Sequence, residues 1–155
     1  MKNSLKDVLF FAIIFTIVDQ IIKIVISSKM IINQTIVVTK NFFSLTLVHN
    51  TGAAFSILEN NTILLVIIGI IAIIGLIIYI KKLEIIEYID VYVYALLIGG
   101  IIGNLIDRIV HGYVIDYLSF KFGGFYFPIF NFADICIVVA FIIYLIQVIR
   151  VDLWK

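Results

Sequence analysis

The chain has 155 residues, 64% of them hydrophobic and 14% charged, and a formal net charge of +1. Soluble domains carry about 45–50% apolar and about 25% charged residues, so this composition excludes an ordinary water-soluble domain and makes the bilayer part of the solvent. The near-neutral balance gives no electrostatic support for nucleic-acid binding, and the lone cysteine, Cys136, excludes an intramolecular disulfide framework.

The first element is an apolar run behind Lys2 and Lys6. It resembles a secretory signal peptide, but no small-x-small cleavage site follows, and the run continues through Asp19-Gln20 into IIKIVI. A retained transmembrane helix is the expectation. Four stretches are long enough to span a bilayer, which needs about 20 helical residues: 8–26, 63–80, 89–110 and 129–149. The fourth follows Pro128, a residue tolerated where a helix starts. Between the first two, residues 27–61 change character. TIVV and FFSLTLV are β-branched and aromatic with partial alternation, which predicts short strands on the membrane surface. The expected fold is therefore a single all-α membrane domain over 1–155, with four transmembrane helices and a small β-sheet between helices one and two.

Basic residues set the expected orientation. With the N-terminus inside, Lys2, Lys6, Lys81, Lys82, Arg150 and Lys155 flank the inner side. Lys29, Lys40, Lys121 and Arg108 fall outside. The bias favours both termini in the cytoplasm. That topology gathers the unusual polar residues on one side: Asp19 and Lys23 in the outer half of helix one, Asn50 and Gly52 in the surface segment. Asn104, Asp107 and Arg108 end helix three, and Asn131 and Asp134 begin helix four. Helix two and the inner half of helix four are nearly all Ile, Leu and Val.

Within this collection, Asp19 and Lys23 have the i,i+4 order favoured for an ion pair, which serves either insertion of the helix or the shape of a site. Asn104, Asp107 and Arg108 share one broad helix face, and Arg108, a pure donor, suits a carboxylate or a loop carbonyl. Gly99, Gly100 and Gly103 read as a close-packing face. Asn50-Thr51-Gly52 ends a predicted strand in a small-residue turn. Asp116 follows the Gly112 turn, and Asp134 lies one helical turn after Asn131. Two acids meeting in an apolar niche share a proton, and such a pair cleaves amides without a covalent intermediate. Spacing alone leaves open whether the two meet. No His-Glu-x-x-His zinc motif, Gly-x-Ser-x-Gly elbow or Walker loop is present. Cys136, two residues beyond Asp134, is read as a small apolar filler. An ion-conducting subunit would carry polar residues across the whole bilayer, whereas here they thin out toward the inside. A non-catalytic scaffold docking through Gly99 and Gly103 would leave the two acids without a purpose.

Asp19-Gln20 with Lys23, HNTGAAFS (His49–Ser56), GGIIGNLIDRIVHGYVIDY (Gly99–Tyr117) and FPIFNFAD (Phe127–Asp134) together resemble the lipoprotein signal peptidases, or signal peptidase II, a family of bacterial membrane aspartyl proteases. The resemblance covers nearly the whole chain. It implies Asp116 and Asp134 as catalytic residues, with Asp19, Lys23, Asn50, Gly52, Asn104, Arg108, Asn131 and Ala133 in support. It also implies a diacylglyceryl-modified prolipoprotein substrate, cut just before the lipidated cysteine near the outer face of the cytoplasmic membrane. Membrane lipids and globomycin-type inhibitors are implied partners, with no metal, no cofactor and no nucleic acid. A surface β-cradle in the family matches the 27–61 segment. Ile22, Phe132 and Ile135-Cys136 depart from the residues usual at those places in the family, which bears on the detail of the pocket and leaves the acids and amides intact.

Overall fold

The computed structural model describes residues 4–52, 58–59 and 61–153. Lys2, Ala53, Ala54, Phe55, Ser56 and Lys155, singled out above, lie outside the described residues. Among the latter are four helices long and apolar enough to cross a bilayer: α1 (Leu5–Lys29), α2 (Thr62–Lys82), α3 (Tyr88–His111) and α4 (Phe132–Leu153). Their lipid-facing sides keep Ile, Leu, Val and Phe exposed, as a bilayer solvent requires.

α3 occupies the centre and packs on the other three. Its glycines let neighbours approach: a Cβ on Gly99 would sit 2.8 Å from the Phe15 Cβ, and one on Gly100 only 2.5 Å from the Ala133 carbonyl oxygen. One end of the bundle is a mainly apolar core that includes Val8, Ala12, Ile80, Val93, Tyr94, Ala95, Ile98 and Ala140. α2 fully buries only Ile80 and is otherwise a lipid-facing wall.

At the other end sits an antiparallel sheet in the order β1 (Thr35–Thr39), β2 (Phe43–Asn50), β3 (Val114–Phe122), β4 (Phe125–Tyr126). The segment between α1 and α2 supplies β1 and β2, as expected. The α3–α4 connection adds β3 and β4, so Asp116 lies on a strand. Met30, Leu47, Ile115 and Tyr117 seat the sheet, with Ile22 and Ile26 of α1 packed against them. The turn from α3 into β3 takes two residues, which is possible because Gly112 ends the helix at φ 82°, a left-handed conformation that suits glycine.

One boundary is corrected. α4 begins at Phe132, not near Ile129, because the chain before it is held extended. Leu118 N–H donates to the Phe130 carbonyl at 2.8 Å, and Phe130 N–H returns to the Leu118 carbonyl at 3.2 Å. The backbone turns helical only after this pairing ends.

Candidate active site

All ten residues selected from the sequence converge where α1, α3, α4 and the β2–β3 pair meet. The N-terminus of α4 organises them. The first four N–H groups of any helix lack partners within it, and here each finds one elsewhere. Phe132 N–H donates to the Tyr117 hydroxyl at 3.2 Å, and Ala133 N–H to Asp19 Oδ1 at 3.0 Å. Asp134 N–H donates to Asn131 Oδ1 at 3.0 Å, and Ile135 N–H makes the first i→i−4 bond of the helix, to the Asn131 carbonyl at 3.3 Å. Asn131 N–H donates in turn to Asp134 Oδ2 at 3.1 Å, which completes a reciprocal capping box. Asp134 is therefore fixed by its own helix start, with its carboxylate where the helix dipole favours negative charge.

Asp116 arrives from the sheet. β2 and β3 pair Val48 with Asp116 and Asn50 with Val114, so Asn50 and Asp116 are diagonal neighbours on one face. Asn50 Nδ2 donates to Asp116 Oδ2 at 2.8 Å, and Asn131 Nδ2 donates to Oδ1 at 2.7 Å. Gly52 N–H anchors Asn50 by donating to its Oδ1 at 2.9 Å. Burial, first, and the neighbouring Asp134 carboxylate, second, push the Asp116 pKa up to about 7 against the pull of the two amides.

Behind the pair lies a buried ionic cluster. Lys23 is 1% exposed and gives its three N–H bonds to Asp19 Oδ2 at 2.8 Å, Asp107 Oδ2 at 2.8 Å and Asn104 Oδ1 at 2.9 Å. Asn104 Nδ2 donates to Asp134 Oδ1 at 2.7 Å. Asp107, next to Arg108 in sequence, makes its ion pair with Lys23, and its Oδ2 also accepts Ile115 N–H at 3.0 Å, which ties α3 to β3. Arg108 takes the loop-carbonyl alternative, its Nη2 donating to the Gly52 carbonyl at 3.0 Å. Gly103 makes room for this cluster, since a Cβ there would come within 2.5 Å of Asp19 Oδ2. Cys136 is buried and unbridged, as a filler would be.

Two contributors, Gln20 and Tyr117, lie in the stretches that carry the resemblance but had no role assigned from the sequence. Gln20 donates to Asp107 Oδ1 at 3.0 Å and to the Gly103 carbonyl at 3.1 Å. The available signal was an amide next to Asp19 in an otherwise apolar helix. Tyr117 caps α4 from β3, and no local pattern announces that.

A cavity of about 780 Å³ opens onto both carboxylates. Asp116, Asp134 and Arg108 contribute to its polar side, and Phe130, Ile135 and Val138 to its apolar side. Among the described residues, no group of three or more His, Cys, Asp or Glu side chains is arranged to hold a metal ion. Chemically, the arrangement offers two carboxylates in a shared niche with every supporting amide already committed.

A family model described as signal peptidase (SPase) II matches residues 11–150. The chain is 40% identical over 129 residues to the lipoprotein signal peptidase of Symbiobacterium thermophilum, covering 83% of this chain and 85% of that protein. It is 38% identical over 153 residues to the one from Janthinobacterium sp., covering 96% and 92%. Among solved structures, a bacterial membrane enzyme determined by the in meso method at 2.3 Å resolution superimposes with a TM-score of 0.88 at 31% identity, covering 96% of this chain and 91% of that one. A second, at 1.9 Å resolution, gives 0.84 at 31% identity, covering 95% of each chain. With its four bilayer-spanning helices, the chain belongs to the signal peptidase II family and is a multi-pass membrane protease of bacterial type.

Proposed function

We propose that this protein removes the signal peptide from diacylglyceryl-modified prolipoproteins, cutting just before the lipidated cysteine with water activated by Asp116 and Asp134. The observation that carries this reading is the pair itself: two carboxylates from different elements face one cavity, each held by two N–H donors. With a pKa near 7, Asp116 is suited to hold the shared proton at neutral pH and below. Asp134 then takes a proton from water as the water oxygen bonds to the scissile carbonyl carbon, and Asp116 protonates the carbonyl oxygen. Collapse of the tetrahedral intermediate returns a proton to Asp116, while Asp134 delivers its proton to the departing nitrogen as the C–N bond breaks. The pair ends as it began.

The protein works as one membrane domain over 1–155, with both termini cytoplasmic and the site near the outer face. The substrate's diacyl chains stay in the bilayer against the apolar wall of the cavity, which restrains the scissile bond before chemistry begins. Globomycin-type inhibitors compete for the same cavity, and neither metal nor cofactor takes part.

The test is cleavage of a lipid-modified prolipoprotein by purified protein in detergent, with and without chelator. Expected are cleavage insensitive to chelator and near-complete loss in Asp116→Asn and in Asp134→Asn. An active Asp134→Asn enzyme would overturn the mechanism. For orientation, Lys121→Cys in a Cys136→Ala background reacts with an impermeant thiol reagent from outside the cell; labelling from the cytoplasm alone reverses the topology.

A further inference from the structure

The three asparagines of the site share one arrangement. An amide has a donor end and an acceptor end of nearly equal size, so it points the useful way only if something fixes it. Gly52 N–H occupies Asn50 Oδ1, and Asp134 N–H occupies Asn131 Oδ1. These are backbone donors that cannot accept, so each amide must turn its Nδ2 elsewhere, and both aim it at Asp116. Asn104 differs. The donors on its Oδ1 are both side chains, Lys23 Nζ at 2.9 Å and Asn131 Nδ2 at 3.0 Å. Lys23 is the charged and therefore stronger donor of the two, and its other two N–H bonds are committed to Asp19 and Asp107. It reaches neither carboxylate of the pair by hydrogen bond.

We propose that Lys23 is a positioning residue that acts on the aspartate pair through Asn104, holding the amide so that Asp134 always meets its N–H and never its carbonyl oxygen. The inference rests on reading Asp116 and Asp134 as the catalytic pair. Without the lysine, the Asn104 oxygen is held only by the neutral Asn131 Nδ2 bond, and loss of the charge-assisted bond lets the amide turn its oxygen to Asp134. That arrangement favours a protonated Asp134 and removes the ionised carboxylate that water needs. The titratable groups around this amide are Asp19 and Lys23 from α1, Asp107 and Arg108 from α3, Asp116 and Tyr117 from β3, and Asp134 from α4.

The substitution Lys23→Met alone leaves Asp19 and Asp107 facing each other in a buried site, so it is a poor probe. The double change Lys23→Met with Asp107→Asn keeps the net charge of the cluster while removing the lysine donor, and Asp107→Asn alone is the control for the Ile115 and Gln20 contacts of Asp107. In the full-length enzyme, with a lipid-modified prolipoprotein as substrate, kcat is expected to fall about 100-fold with KM little changed, the size of effect seen when one donor to a reacting group is lost. Adding Asn104→Ala to that background is expected to cost almost nothing more, because the amide's contribution is already gone. An independent, multiplicative loss from Asn104→Ala would overturn the proposal.

The second variant, Asn104→Asp, needs no change at Lys23. One oxygen keeps the lysine contact, and the other faces Asp134 as an acceptor until it is protonated and becomes a donor. The expected result is a pH optimum displaced to the acid side, with activity recovering toward the wild-type level as pH falls. A profile merely lowered at every pH would overturn the proposal, because a packing role alone predicts that outcome. Residual full activity in Asp116→Asn or Asp134→Asn would instead sink the underlying assignment of the pair.

Discussion

α1 and α3 build two opposite kinds of interior along their lengths. Toward one end they bury Val8, Ala12, Val93, Ala95 and Ile98, and toward the sheet the same helices bury Asp19, Lys23, Asn104 and Asp107. The apolar end needs only complementary shape. The polar end must satisfy each donor and acceptor, because an unpaired buried polar group costs roughly 1–3 kcal/mol and a lone charge costs more. Replacing a buried ion pair with well-packed apolar residues is often neutral or stabilising. The polar end is thus where stability is given up, and the site proposed for catalysis lies there.

Four changes break or sharpen that contrast, in descending order of effect. Gly103→Ala pushes a methyl group to within 2.5 Å of Asp19 Oδ2 and 3.3 Å of the Ala133 Cβ, and Asp19 is clamped by Lys23 and Ala133 N–H. Turnover is expected to drop by about 100-fold or more, with a destabilisation of about 1–3 kcal/mol, measured by peptide cleavage and by thermal unfolding. At the apolar end, Ile98→Ala removes a fully buried side chain and is expected to cost about 2–5 kcal/mol of stability while kcat of the folded enzyme stays near wild type. If both variants lost activity in proportion to stability, the two ends would not be separable.

The third change is in pH. The Asp116 pKa rises from an ordinary 3.8 to about 7 on folding, so between those values the folded state holds more protons than the unfolded one. A group whose affinity rises this way stabilises least at high pH: stability falls as pH climbs through that window and levels off above it. The drift is up to about 4 kcal/mol. Wild type is expected to lose unfolding midpoint relative to Asp116→Asn as pH rises from the lower value to the upper. A constant difference would mean that Asp116 is not the group whose proton affinity changes. The smallest effect is expected from Gly75→Ala on α2, where an added Cβ meets nothing within 4 Å. Activity should be unchanged, and stability should rise by no more than about 1 kcal/mol.

Much of the fold was legible because the bilayer leaves a strong mark on composition. Long runs of Ile, Leu and Val marked all four helices, and the β-branched and aromatic stretch before α2 marked β1 and β2. The start of α4 was not legible. The sequence after Pro128 suits a helix, and the pairing of Phe130 with Leu118, with the Phe127–Phe120 bond before it, keeps it extended. β3 was hidden for a related reason, since its pairing with β2 depends on residues some 70 positions away, and β4 forms only as a two-residue partner of β3.

The site divides along the same line. Composition and spacing were enough to select the acids and amides, because polar residues in an apolar chain are costly and stand out. The Asn131–Asp134 cap is local chemistry, written in an Asn-x-x-Asp spacing. Which groups meet was decided by tertiary structure: Asp107 turns to Lys23 and not to its neighbour Arg108, Tyr117 caps a helix from a strand, and Asn104 bridges a buried lysine to Asp134. Sequence determines which side chains cannot be left alone in an apolar medium. The packing of α1, α3 and α4 against the sheet determines who satisfies them, because those partners lie up to 114 residues apart and no local periodicity encodes the pairing.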